Sequence, residues 1–405
     1  MRPGADDLET DGKETRVKRL IFLLALALAF SSTATAVTYP VQSGEPVILA
    51  VGGSFAYARD NRGKIYVFGD NQYGQLGNGS LRQSFEVREF KSPRAELDTA
   101  QILDIVPASD YSFLWMKDNS LWGAGNNSYL SLGVKGTPHK THVLMPLEAD
   151  LKDLKTGFGH VLALTQAGEV YAWGRNNRGQ VGNGNRKNAL TPYKLPLENI
   201  VSIAAGGKFS LALDAQGTLW GWGDNEFRQL SPERKTDFTS PVKVDYGSID
   251  IAALDACGAS VVLLDTQGVL WTWGRNDMHQ LGYDTGGALT TQPASVDLPG
   301  KVVSVAAYSS QTYAILEGGA LWSWGNNSYG QLGHGYRSAA SQGVLPGKAW
   351  DSDVVLVMGG SLFVVAMTGD GSLLSAGISK FGQLGHGDSK SRYSLTPTGI
   401  DLIVP

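Results

Sequence analysis

The chain has 405 residues, enough for two or three ordinary domains or for one long array of repeats. Its formal charge of −4 provides no basic domain of the kind that grips a phosphate backbone, so no nucleic-acid partner is expected. One cysteine, Cys257, excludes an intramolecular disulfide and a cysteine-rich zinc module, while 51 glycines announce many tight turns.

Arg16, Lys18 and Arg19 precede an unbroken apolar run over residues 20–30. It is too short to span a bilayer but suits the apolar core of a secretory signal, and Ala34 and Ala36 then supply the small residues a signal peptidase needs. Residues 1–36 therefore read as a signal peptide with an atypical acidic leader, cleaved after Ala36; an uncleaved anchor, or translation starting near Val17, is the alternative. The segment holds five basic and five acidic side chains, so the mature chain, 37–405, keeps the charge of −4. A secreted or periplasmic protein with no stable membrane span after cleavage is expected.

From Val37 onward the sequence repeats. Aromatic-glycine dipeptides and their variants place anchor glycines at Gly69, Gly125, Gly174, Gly223, Gly274, Gly325 and Gly377, a period near fifty residues. Such a period marks an array whose units cannot bury an apolar face alone. Before each anchor runs a strand, a turn and a second strand, as in LALDAQGTLWGWG at 211–223. Six residues ahead of the anchors stand six glycines and Asn119, residues that tolerate a left-handed backbone, which predicts a tight hairpin. Asp60, Thr165, Asp214, Asp265 and Thr368 sit three residues earlier and read as turn residues rather than catalytic acids. Strand hairpins closed into a ring hide their edges, so the expected fold is an all-β, seven-bladed β-propeller forming one domain.

After each anchor an asparagine, a glutamine and an aliphatic residue recur, as in Asn327, Gln331 and Leu332. The amides can close the loop's own turns while the leucine pins it to the blade. A phosphate-binding loop is needed once, and none of the copies carries the lysine and hydroxyl residue that end a P-loop.

The pattern GxNxxGQLGxG after an aromatic-glycine pair, with DxxGxLWxWG before it, resembles the regulator of chromosome condensation (RCC1) repeat, over roughly residues 45–400. The resemblance implies seven blades. With the signal, it reads as a bacterial, secreted-type member. Copies two and seven depart from the pattern, with Ala124 and Ala376 in place of the aromatic, and looser blades are expected there. Sequence similarity between the C-terminal TPTGIDLIVP and the inter-repeat segments suggests that both termini share one closing blade, so deleting the last ten residues should destabilise the ring.

The family's founding member is a chromatin-bound exchange factor for a nuclear GTPase, partners that a secreted chain does not meet. Other bacterial members are secreted inhibitors that lay one propeller face on a β-lactamase. The expected function is accordingly a non-enzymatic, cofactor-free module, monomeric, that binds a protein or glycan and in one form inhibits it. Its candidate contact residues lie four positions past the anchors: Tyr73, Tyr129, Arg178, Phe227, Met278, Tyr329 and Phe381. Aromatics and arginine on rigid loops are the usual stuff of binding hot spots. The competing reading packs each of these rings on its own blade. Two further functions stay open: nucleotide exchange on a small GTPase, should the chain be cytoplasmic, and a lyase or hydrolase with a central-channel site drawing on Asp110, His160 and Lys208. His139 and His142 have a zinc-compatible spacing with no cysteine or carboxylate beside them, and His334 and His386 occupy one repeat slot.

Overall fold

A computed structural model describes residues 37–136 and 138–404. The expected signal peptide and its cleavage site fall outside the described residues.

The chain forms seven antiparallel sheets in a ring, blades 1 to 7, spanning 37–89, 102–145, 151–194, 200–243, 251–295, 302–350 and 354–401. Blades 2 to 7 each have four strands in chain order, and blade 1 has five. The first strand of each four-strand meander touches its counterparts in both neighbouring blades, so these strands line the centre. The second strands are buried almost along their whole length, as in Phe55–Arg59, Leu211 among Phe209–Asp214, and Phe363–Thr368. Apolar faces thus meet between blades rather than within one, which is why the period had to close on itself.

The turn column behaves as its residues require. Each of the six glycines has a positive φ, and Asn119 adopts φ 70°. Asp214 closes its hairpin by accepting the backbone N–H groups of Gln216 and Thr218, and its second oxygen accepts the Trp220 indole N–H at 3.0 Å. Asp265 repeats the arrangement with Gln267, Val269 and Trp271.

The ends of the chain correct the sequence expectation. Blade 7 is built wholly from the C-terminal strands Val354–Gly359, Phe363–Thr368, Ser372–Gly377 and Arg392–Asp401, with no N-terminal strand in it. The strand Val37–Tyr39 instead pairs with Val47–Val51 on the channel side of blade 1. Ring closure falls to the tail after blade 7. Leu402 N–H donates to Gly371 of blade 7 while its carbonyl accepts from Asn61 N–H of blade 1. The Asn61 side chain then exchanges two hydrogen bonds with the Val404 backbone, each 2.9 Å. Elsewhere the inter-blade linkers do this work, as where Ala215 N–H meets Asn199 and Glu317 N–H meets Lys301. The tail therefore serves as the linker that a ring with two free ends lacks.

Candidate protein-binding face

In every blade the start of the second strand pairs with the anchor glycine, as Phe55 does with Gly69, so the loops before strand two and after strand three emerge on one side of the ring. We call this the loop face. The asparagine and glutamine columns hold its loops rigid. Asn71 Oδ1 accepts Leu76 N–H at 2.9 Å, and the same bond recurs from Leu132 to Asn127 and from Leu230 to Asn225. Each glutamine accepts the backbone N–H of the candidate residue two positions before it: Tyr73, Arg178, Phe227, Met278, Tyr329 and Phe381 are all held this way. Only Tyr129 lacks the bond, because Ser131 stands in the glutamine's place and donates instead to the Gly159 carbonyl.

The candidates share this face but not one environment. Tyr73, Tyr129 and Tyr329 are 37%, 39% and 41% exposed, while Arg178, Phe227, Met278 and Phe381 are half-buried. Packing on the ring's own blade is not the rule. Arg175 of blade 3 lies 4.5 Å over Tyr129 of blade 2, and Arg275 of blade 5 lies 5.1 Å over Phe227 of blade 4. Arg178 spans to blade 4 as well, pairing with Glu226 and Asp237 at 3.4 and 3.5 Å. These contacts stiffen the face across blade boundaries.

At the middle of the loop face the channel is narrow beside the ends of the first strands. Phe158 and Tyr308 meet there with centroids 6.4 Å apart, and the cavity beside them, walled by Ser109, Gly207 and Ser309 among others, holds about 10 Å³. That is room for one water at most. The three channel candidates lie on three successive blades. His160 is fully buried, its Nε2 is 3.0 Å from Ser210 Oγ, and burial pushes its pKa down to about 3, so it stays neutral. Asp110 accepts the Asn126 amide at 2.6 Å, and burial raises its pKa. Lys208 belongs to the next blade again.

The remaining histidines are likewise separated by the fold. His139 Nε2 faces the Lys135 and Gly136 carbonyls at 3.2 and 3.0 Å, whereas His142 is buried edge-on to Phe90. His334 and His386 sit 2.9 and 3.0 Å from Ser323 and Ser375, a contact repeated between neighbouring blades.

Column reasoning missed part of the face. Tyr336 and Tyr393 are exposed beside Tyr329, but one lies in the non-repeating end of its loop and the other on the outer strand of blade 7. Neither belongs to a recurrent column. The excess of large exposed side chains at that corner was their only signal, and it becomes visible only once burial is known.

Comparison with known proteins agrees with this architecture. The RCC1-like domain family matches residues 153–404, and the regulator of chromosome condensation (RCC1) repeat matches residues 47–75 and 62–95. The human E3 ubiquitin-protein ligase HERC2 is 31% identical over 372 residues, which cover 85% of this chain but 7% of that protein. The Arabidopsis thaliana ultraviolet-B receptor UVR8 is 27% identical over 85% of this chain and 80% of its own. Among solved structures, Prp20p of Saccharomyces cerevisiae, described with its binding to Gsp1p and histones, superposes with a TM-score of 0.73 at 22% identity, covering 93% of this chain and 89% of that one. Its likeness establishes the propeller and nothing finer. With a family match over more than half its length, the chain belongs to the RCC1-like domain family.

Proposed function

We propose that this propeller is a binding module for a protein partner, engaged through the loop face. The observation that carries the reading is a set of exposed tyrosines on loops already fixed by buried amides: Tyr73 and Tyr329 can be covered by a partner with little ordering left to do. Rigid aromatic anchors of this kind lose little entropy on binding, which is what makes them hot spots. The near-closed mouth at the centre of the face favours a surface that binds over a channel that catalyses. The basic and apolar run ahead of Val37 supports a setting outside the cytoplasm, secreted or periplasmic. Exchange activity on a small GTPase is the reading for a cytoplasmic chain, and a glycan is the alternative ligand in the secreted one.

Capture of partners with the tagged full-length chain in its own host, paired with sequencing of the mature N-terminus, tests both parts. Loss of a captured protein when Tyr73, Tyr129 and Tyr329 are changed together to alanine, in a variant that still folds, supports the proposal. Undiminished capture would move the contact off this face. A native N-terminus beginning before residue 17 would remove the secreted setting.

A further inference from the structure

The net charge of −4 conceals an uneven loop face. Around blades 3 to 5 several of its cations are matched. Arg178 pairs with Glu226 and Asp237, Arg186 with Asp237, and Arg275 with Asp277. Around blades 6 and 7 they are not. The loop 327–342 holds no acidic residue, and the loop 378–391 holds only Asp388, which Arg392 neutralises at 3.0 Å. Arg337, exposed, forms no ion pair among the described residues, and Lys390, also exposed, forms none within contact distance but stands near the Asp388 carboxylate, whose pKa it helps Arg392 to lower.

The same corner contains a cleft. Ser328, Tyr329, Arg337, Ser338, Ala339 and Ala340 line a depression of about 490 Å³. Its walls are built rather than draped. Ser338 N–H donates to the Asn327 carbonyl, the Asn327 amide donates to the Tyr336 carbonyl at 3.0 Å, and Ser338 Oγ donates to Gln342 at 2.8 Å. Tyr393 packs against the Gly330 backbone, where a Cβ would meet its ring at 2.5 Å, and Gly335 N–H donates to the Tyr393 carbonyl. The Arg337 guanidinium lies 5.9 Å over the Tyr393 ring. An arginine resting on an aromatic face keeps its forked donors turned to solvent, ready for a carboxylate. Glycine at 330 is required by its φ of 78° and by this close approach.

Resting on the binding-module reading, we propose that the cleft between Tyr329 and Arg337 is an acidic-peptide site. A glutamate or aspartate side chain of a protein partner pairs with Arg337, a neighbouring acid reaches Lys390, and the flanking apolar residues lie on Tyr329, Tyr336 and Tyr393. The unmatched cations supply sign and orientation, and the three tyrosines supply area.

The test uses the mature protein and three labelled probes: a short peptide of glutamates around a central leucine, its lysine counterpart, and a single-stranded oligonucleotide. The glutamate peptide should bind and the lysine peptide should not. Arg337→Glu and Lys390→Glu, each exposed and remote from the core, should weaken binding by about tenfold or more together. The difference should shrink as salt shortens the screening length. Equal binding of the two peptides, or no effect of the charge reversals, overturns the site. Binding of the oligonucleotide as tightly as the glutamate peptide assigns the corner to nucleic acid instead. A partner that still needs Tyr73 and Tyr129 but ignores Arg337 sustains the module and sinks this site.

Discussion

Four blade boundaries carry a tryptophan bond from one blade to the next, whereas at two others a tyrosine satisfies the same loop carbonyl from within its own blade, and the contrast explains how an imperfect repeat fills a good ring. At boundaries 2 to 3, 3 to 4, 4 to 5 and 5 to 6, a buried indole of the later blade donates to a loop carbonyl of the earlier one: Trp173 to Ser131, Trp222 to Gln180, Trp273 to Gln229 and Trp324 to Gln280, at 2.7 to 3.1 Å. Ala124 and Ala376 cannot do this. At their boundaries a tyrosine of the earlier blade fills the space and bonds the loop carbonyl of its own blade. Tyr57 donates to the Gln75 carbonyl at 3.1 Å, and Tyr313 to the Gln331 carbonyl at 2.9 Å. Both rings are fully buried, so the missing indole is replaced by a phenol from the opposite wall. The alanines thus leave no empty site at these boundaries. A column scanned within one repeat cannot register compensation from a different column of the neighbouring repeat.

The largest effect should come from removing a lock outright. Trp222→Ala should cost about 3–5 kcal/mol in denaturant unfolding, because it empties a fully buried site in the core shared by blades 3 to 5. A cost near that of a surface change would show that the locks are decorative.

Next comes overfilling. Ala376 and Tyr313 sit in one apolar cluster with Val364 and Leu395, so Ala376→Trp should cost about 1–3 kcal/mol by forcing Tyr313 aside. Adding Tyr313→Leu should recover most of the loss by giving the indole room and the Gln331 carbonyl to bond. Failure of the pair to couple in a double-variant cycle would refute the exchange.

The two tyrosines should then differ from each other. Ser112 Oγ also donates to the Gln75 carbonyl, at 2.7 Å, so Tyr57→Phe leaves that carbonyl satisfied. Tyr313→Phe removes the one side-chain donor seen on Gln331 among the described residues and should cost about 1–3 kcal/mol, clearly more than Tyr57→Phe. Equal melting temperatures for the two would argue that the hydroxyls are incidental.

The smallest effect is a gain. Gly77 of blade 1 packs on His142 of blade 2, in the slot where Gly333 meets Leu395 and Gly385 meets Val87. Both His142 ring nitrogens are buried without a hydrogen-bond partner, and burial with the nearby Arg94 lowers its pKa to about 3. His142→Leu should stabilise the ring by about 1 kcal/mol near neutral pH. The unfolded chain takes up this proton below about pH 6.5 whereas the folded one resists until about 3, so wild-type stability falls through that window and the advantage of leucine grows. Parallel stability curves for the two proteins across that range would show that His142 is not the group responsible.

By itself the sequence determined the repeat, the hairpin, the positive-φ turn column and the number of blades. These rest on local chemistry: glycine where the backbone must turn left-handed, aspartate where a hairpin needs an acceptor, apolar alternation on half of each strand. It also identified a loop column that the fold does bring to one face. Only the tertiary structure decided how the ring is shut, which of Tyr73, Tyr129, Arg178, Phe227, Met278, Tyr329 and Phe381 are exposed, and that Tyr336, Arg337 and Tyr393 gather beside one of them. Those outcomes depend on contacts between residues of different blades, such as Leu402 with Asn61 or Tyr393 with Gly330, at positions where the residue type changes from blade to blade, as Lys140, Thr239 and Phe85 replace Tyr393 elsewhere.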